Sequence, residues 1–136
     1  MSEEKTYTIQ SADLSIKAEG PWGTPEQMVE LFTSYDWNSE LSLQAKLEDE
    51  EAGEVCPPGL ILLRECGVFI HFCPNQNGTV EIYCMQKLPR KIFGIFKVKW
   101  NAEVAKERAS HAFAQRAIVK FMTNDEAWLQ ANIKED

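Results

Sequence analysis

The stretch from Leu60 to Trp100 places the tightest constraint on how this chain can fold. It contains four apolar segments, at residues 60–63, 68–73, 80–85 and 92–100, and each is bounded by Gly, Pro or Asn. Short apolar segments separated by turn-forming residues are typical of consecutive β-strands. The stretch is therefore predicted to form a meander of antiparallel strands.

The first two segments are apolar at nearly every position rather than at alternate positions. Residues 60–63 read Leu-Ile-Leu-Leu, and Val68, Phe69 and Ile70 nearly repeat the pattern. Continuous apolar runs indicate strands that are covered on both faces. Two helical patterns, a shorter one after Thr24 and a longer one after Trp100, are the expected source of that cover.

The Asn77-Gly78 pair is a strong signal for a two-residue β-hairpin turn between the second and third segments. With this pair at the turn, His71 is expected opposite Cys84. Opposite residues point to the same face and so do residues two apart, so this register also places Cys73 beside them.

A helix is predicted from Pro25 to about Thr33, because Thr24 and Gln27 have the spacing of a capping box and Pro25 suits the first helical position. After it, Leu41 to Glu48 alternates apolar and polar residues with a period of two, which predicts a half-exposed strand.

Two helices are predicted near the C-terminus. The longer helix is expected to begin at Asn101 and to end at about Met122, and a short helix is expected from about Asn124. Together these elements predict a single α+β domain over residues 1–136. Its antiparallel meander sheet would have about five to seven strands, with one helix inserted early and a long plus a short C-terminal helix packed on the sheet.

The length and composition are those of an ordinary globular domain. The 136 residues are 44% apolar and 26% charged, and no stretch of 18 consecutive apolar residues occurs. The first ten residues lack the basic and apolar regions of a signal peptide. These features predict a cytoplasmic protein that does not enter a membrane.

Chemistry-bearing residues are few. The four cysteines are separated by 10, 7 and 11 residues, so no pair has the two-residue gap of zinc knuckles and redox motifs. His71 near Cys73 resembles a thiol–imidazole pair, but apolar neighbours explain both as structural residues. We expect no catalytic residue, no metal and no cofactor, and therefore a protein that is not an enzyme.

The net charge of −7 is distributed unevenly along the chain. Residues 1–54 contain thirteen acids and three lysines, for −10, so the remainder is +3. The candidate partner surface is acidic and consists of Glu48, Asp49, Glu50, Glu51 and Glu54, with Trp22 and Trp37 as aromatic anchors. A secondary basic surface is formed by Arg90, Lys91, Lys97, Lys99, Arg116 and Lys120.

Two functions are compatible with these features. The first is a non-catalytic protein-binding module, such as a small acidic inhibitor or immunity-type protein that neutralises a basic protein partner by charge-steered binding. The alternative is a carrier of a small apolar ligand or lipid, with a cavity between a curved sheet and the C-terminal helix. A homodimer is compatible with either function, whereas the negative net charge argues against nucleic-acid binding.

Overall fold

The computed structural model describes residues 5–51, 53–64, 67–92 and 96–134, with side chains described for all of these except 86–92 and 96–103. The elements, in chain order, are β1 (Thr6–Gln10), β2 (Ile16–Pro21), α1 (Pro25–Ser34), α2 (Trp37–Asp49), β3 (Gly59–Leu63), β4 (Phe69–Pro74), β5 (Val80–Ile92), β6 (Phe96–Ala109), α3 (His111–Met122) and α4 (Glu126–Asn132). The strands form one antiparallel sheet in the order β2-β1-β3-β4-β5-β6. The predicted α+β fold is confirmed.

The core lies between one face of the sheet and the helices. Alternate strand residues, among them Ile9, Leu60 and Phe72, are fully buried against helix residues such as Phe32 and Phe121. On the opposite face Ile61 and Phe69 are half-buried and Leu63 is 40% exposed. The cover predicted for both faces is therefore only partial on the second face.

The predicted start of α1 is confirmed. The Thr24 hydroxyl accepts a hydrogen bond of 3.1 Å from the backbone N–H of Gln27, and the Gln27 side chain accepts one of 2.8 Å from the Thr24 N–H. This reciprocal capping box satisfies two N–H groups that a helix start would otherwise leave without partners.

The strand predicted from Leu41 to Glu48 is wrong, because these residues belong to helix α2. Asp36 caps this helix by accepting a hydrogen bond of 3.2 Å from the Ser39 N–H. The buried residues Trp37, Glu40 and Leu41 have helical spacing. Residues 37–49 include no β-branched residue, and their Leu, Glu, Gln, Lys and Ala all favour helix. Composition was therefore the better guide here than alternation.

The long helix predicted to begin at Asn101 is also wrong over nearly its first half. Strand β6 continues to Ala109, paired with β5 along its length. Helix α3 begins only at His111, where the Ser110 hydroxyl accepts a hydrogen bond of 3.0 Å from the Phe113 N–H. Pairing with the long strand β5 outweighs the local helical preference of this segment.

The predicted hairpin register is wrong by one residue. Cys84 lies opposite Ile70 rather than His71, and the connection is a longer loop in which Gly78 has a φ of 85°. A shift of one residue moves a side chain to the other face of a sheet. Cys84 therefore points into the core, away from His71.

Candidate protein-binding surface

The acidic segment, defined as Glu48, Asp49, Glu50, Glu51 and Glu54, occupies the C-terminal end of α2 and the loop that follows it. All five residues are exposed. The Glu48 carboxylate accepts a hydrogen bond of 3.1 Å from the Gln44 side chain. In the part of the chain that the structure describes, none of the five forms an ion pair. The segment therefore presents uncompensated negative charge to solvent.

The negative charge of the acidic segment lies at the C-terminal end of α2, where it does not stabilise the helix. The C-terminal end of a helix carries a partial negative charge from its free carbonyl groups, so acids there are repelled by it. Glu51 also has a φ of 51°, in the left-handed region that costs an ordinary residue roughly 1 kcal/mol. The stability of α2 therefore does not account for the placement of the acidic segment.

The turn between β1 and β2 is held against α2 and against the chain that follows the acidic segment. The Ser11 hydroxyl donates a hydrogen bond of 2.8 Å to the buried Glu40 carboxylate, whose other oxygen accepts one of 2.7 Å from the Tyr35 hydroxyl. The backbone N–H of Cys56 donates to the Ala12 carbonyl at 3.1 Å. The pKa of Tyr35 is raised by burial and by its bond to Glu40, so Tyr35 remains a donor.

Two large apolar side chains are exposed at this fixed turn. Leu14 is 42% exposed and has a φ of 74°, and Ile16 is 56% exposed. Cys56 is hydrogen-bonded to Ala12, and Glu54 precedes Cys56 by two residues. Two residues of chain span at most about 7 Å, so the Cα atom of Glu54 lies within about 7 Å of that of Cys56. The apolar turn, defined as Leu14 and Ile16, thus lies near Glu54, the last residue of the acidic segment.

Sequence reasoning did not identify the apolar turn. Residues 14–18 have the composition of a strand, and that interpretation gives no reason to expect exposure. The available signal was an isolated Leu14 between the polar residues Asp13 and Ser15, in a segment that has to turn.

Trp22 is folded back over the edge of the sheet. Its indole N–H donates a hydrogen bond of 2.8 Å to the Thr6 carbonyl, and its ring packs edge-on against Phe121 with centroids 5.9 Å apart. Lys5 lies over the same ring at 5.7 Å. Trp22 is half-buried, so a partner could contact only part of its ring.

Trp37 belongs to the core and is 7% exposed. Its indole N–H donates a hydrogen bond of 2.7 Å to the Phe32 carbonyl, and its ring lies 4.5 Å from that of Tyr35. These contacts fix the start of α2. Any contribution of Trp37 to a partner surface is therefore indirect, through the position of the helix that carries the acidic segment.

The residues of the predicted basic surface lie in two separate places. Arg90 and Lys91 are on β5 and Lys97 and Lys99 on β6, where Lys91 pairs with Lys97; the side chains of these four lie outside the described residues. On α3, Arg116 is exposed and lines an open groove with Glu26, Val29, Glu30, Gln115 and Val119. Lys120 forms an ion pair of 3.4 Å with Asp125.

The pair formed by His71 and Cys73 is close but electrically neutral. The Cys73 sulfur lies 3.3 Å from Nε2 of His71. Burial, followed by the charges of Glu81 and Cys56, raises the pKa of Cys73 to about 12, and burial lowers the pKa of His71 to about 4. A neutral imidazole beside a protonated thiol does not supply a thiolate nucleophile at neutral pH.

The described residues contain no group of three or more His, Cys, Asp or Glu side chains that could hold a metal ion. None of the described helices is long and apolar enough to cross a membrane. Comparison with protein-family models, with curated proteins and with solved structures gives no match for this chain. Proposals about function therefore rest on the geometry of the chain itself.

Proposed function

We propose that this protein is a non-catalytic protein-binding module of the small acidic inhibitor or immunity type, acting in the cytoplasm. Its binding surface combines the acidic segment with the apolar turn, and its partner is a protein with a basic rim around an apolar cleft. The single observation that supports this proposal most directly is the hydrogen bond between Cys56 and Ala12, which brings Glu54 of the acidic segment near the apolar turn. The Ser11–Glu40 hydrogen bond holds the same turn against α2.

Each feature has a distinct physical role in binding. Exposed charges of one sign steer an oppositely charged partner and raise the association rate, although individually they add little affinity. Affinity comes mainly from a few apolar groups that lose water on contact. Leu14 and Ile16 are suited to that second role, because both are already exposed and Leu14 is held by a fixed turn.

The alternative function, a small apolar-ligand or lipid carrier, needs space between the sheet and the C-terminal helices. In this region Phe72, Ile118 and Phe121 are fully buried. A space lined by residues that include Arg64, Phe121 and Leu129 holds about 10 Å³, which is about the volume needed for one water molecule. The packing of this region therefore favours the protein-binding proposal.

The proposal is tested by measuring association rates with the partner, after it has been recovered on the immobilised chain and purified. The variant Glu48→Gln with Glu50→Gln removes two charges from the acidic segment. We expect its association rate constant to fall about tenfold at an ionic strength of about 50 mM and the salt dependence to flatten, because charge steering is screened by salt. Leu14→Ser should act differently, increasing the dissociation rate with little effect on association.

The matched control is Glu26→Gln with Glu30→Gln, which removes two exposed charges from α1 and leaves the capping Thr24 and Gln27 in place. If both double variants associate at the same rate, net charge alone is responsible and the proposed surface is wrong. Unchanged dissociation of Leu14→Ser would exclude the apolar turn from the contact.

A further inference from the structure

The face of the sheet opposite the helices carries a continuous surface that is only partly covered. We define this open face by Ile61, Leu63, Phe69, His71, Tyr83 and Met85. The register aligns Ile61, His71 and Tyr83 in one row and pairs Leu63 with Phe69 in the next. Because strand residues alternate between faces, the residues between them form the buried core on the helix side.

The open face is unusually apolar for a surface in water. A strand that is solvated on one face normally alternates apolar and polar residues, whereas four of these six residues are Ile, Leu, Phe and Met. Leu63 is 40% exposed. His71 adds no charge at neutral pH, since burial lowers its pKa to about 4. The five side chains of the open face other than that of Leu63 are half-buried, and an apolar surface that solvent still reaches is a candidate interaction site.

One end of the open face is acidic. Glu81 precedes Tyr83 by two residues on β5, and its carboxylate accepts a hydrogen bond from the Tyr83 hydroxyl. Glu107 is exposed on β6. The pKa of Tyr83 is raised by the bond to Glu81, by burial and by nearby negative charge that includes Glu107, so both carboxylates lie close to this end of the face.

The other end of the open face leads into a basic two-stranded ribbon. Strand β4 pairs with β5 only as far as Cys84, whereas the pairing of β5 with β6 continues to Ile92 and Phe96. The described part of this ribbon beyond Met85, residues 86–92 and 96–102, includes five bases, and Glu103 is paired with Met85 at its base. Lys87 and Lys91 follow Tyr83 at even spacing, and the register pairs Lys91 with Lys97 and Pro89 with Lys99. By backbone register, these positions continue the rows of the open face along the ribbon.

We propose that the open face is a homodimer interface, in which the sheets of two copies pack face to face about a two-fold axis. A two-fold axis across the apolar middle brings each end of one copy onto the opposite end of the other. The basic ribbon of each copy then lies over Glu81 and Glu107 of its partner. Sheets that pack in this way are separated by about 10 Å, the depth of two layers of interdigitated side chains.

The charge layout favours a second copy over other occupants. Nucleic acid or an anionic lipid surface would be attracted by the ribbon, but Glu81 and Glu107 would repel its phosphates. The net charge of −7 acts in the same direction. A second copy places its own glutamates near the basic ribbon and its own basic ribbon near Glu81 and Glu107, so both charged ends are matched by one kind of partner.

The open face shares no residue with the acidic segment or the apolar turn, so the dimer and the proposed partner site can be disproved independently. The test is the molar mass of the full chain by sedimentation equilibrium over about 1–100 µM, a range that detects dissociation constants typical of weak and moderate dimers. A dimer is expected for the wild type, with a dissociation constant that rises at least tenfold between about 50 mM and about 500 mM salt.

Two kinds of variant locate the interface. Leu63→Lys places charges from both copies near the two-fold axis and should yield a monomer, whereas Val119→Lys, a control at a similarly exposed position on α3, should remain dimeric. Glu107→Lys should weaken the dimer at least tenfold. Combining it with Lys87→Glu should restore the dimer, because the register places residue 87 as far from the apolar middle as Glu107 is on the other side, so charges of opposite sign then meet again across the axis.

Circular dichroism shows whether each variant is folded. Glu107→Lys changes only an exposed residue, so the test can be completed even if Leu63→Lys does not fold. A wild-type chain that is monomeric at about 100 µM overturns the proposal. So does a dimer that Leu63→Lys and Glu107→Lys leave unchanged. If the wild type is monomeric and Leu63→Lys abolishes binding to a different protein or to nucleic acid, the open face belongs to that partner instead.

Discussion

The Ser11 hydroxyl donates a hydrogen bond of 2.8 Å to the carboxylate of Glu40, a residue 29 positions away that is 6% exposed. This contact joins the turn after β1 to helix α2. The second carboxylate oxygen accepts a hydrogen bond of 2.7 Å from Tyr35. Glu40 is thus a buried acid whose two oxygens are both satisfied, and it fixes the relative positions of the apolar turn and the helix that ends in the acidic segment.

Ser11→Ala should lower the free energy of unfolding by about 2 kcal/mol, because it leaves one oxygen of a buried carboxylate without a donor. The measurement is urea unfolding of the wild type and the variant. Ser42→Ala, at an exposed position on α2, is the control and should change the free energy by less than about 0.5 kcal/mol. Equal effects of the two substitutions would show that the contact contributes nothing to stability.

Leu14 should be more tolerant of glycine than of alanine, which reverses the usual order. Its φ of 74° is strained for any residue with a Cβ atom, so Leu14→Gly should be about 1 kcal/mol more stable than Leu14→Ala. At Ile16, which is exposed on β2 and has a negative φ, alanine should be the more stable of the two. Thermal unfolding of the four variants decides this, and the same ranking at both positions would contradict strain at Leu14.

Elements defined by local chemistry could be predicted from the sequence. The capping box of Thr24 and Gln27 satisfies its own backbone donors within four residues, so no distant contact is needed to establish it. The strands of residues 60–85 are likewise marked by apolar segments between turn residues. The acidic segment is exposed, as runs of charge usually are, because no partner in the described chain compensates the cost of burying it.

Features that depend on distant contacts could not be predicted in this way. The extension of β6 to Ala109 is established by pairing with β5, and the register that separates His71 from Cys84 depends on a loop longer than the Asn77-Gly78 signal implies. The location of the apolar turn near Glu54 depends on the contact between Ala12 and Cys56, 44 residues apart in sequence. Nothing in either local sequence indicates this contact.

Gly59 should be intolerant of any side chain. A methyl group there would lie 2.5 Å from Nε2 of His71 and 2.5 Å from the Phe72 carbonyl oxygen, which belongs to the neighbouring strand. Gly59→Ala should therefore lower the free energy of unfolding by about 2–3 kcal/mol, measured by urea unfolding. Gly20→Ala, where the nearest atom is a ring carbon of Tyr7 at 3.3 Å, should cost less than about 1 kcal/mol. Similar values for both would show that β3 can shift away from β4.

His71 should make the stability of the protein depend on pH in the mildly acidic range. Burial lowers the pKa of His71 from 6.5 to about 4, so between these values the unfolded chain binds a proton that the folded chain does not. Above about pH 6.5 His71 is neutral in both the folded and the unfolded chain, and the protein has its full stability. As the pH falls towards 4, the free energy of unfolding decreases by at most about 3 kcal/mol.

The variant His71→Gln removes this titration and retains a polar group near Cys73. Urea unfolding between about pH 4 and pH 7.5 should show that the wild type loses up to about 3 kcal/mol more than the variant on acidification. Carboxylates such as Asp13 and Asp36, whose hydrogen bonds to Ser15 and Ser39 lower their pKa values, titrate equally in both proteins and cancel in the difference. Parallel curves for the wild type and His71→Gln would mean that the pKa of His71 is the same in the folded and unfolded chain, so the open face would gain a positive charge below about pH 6.5.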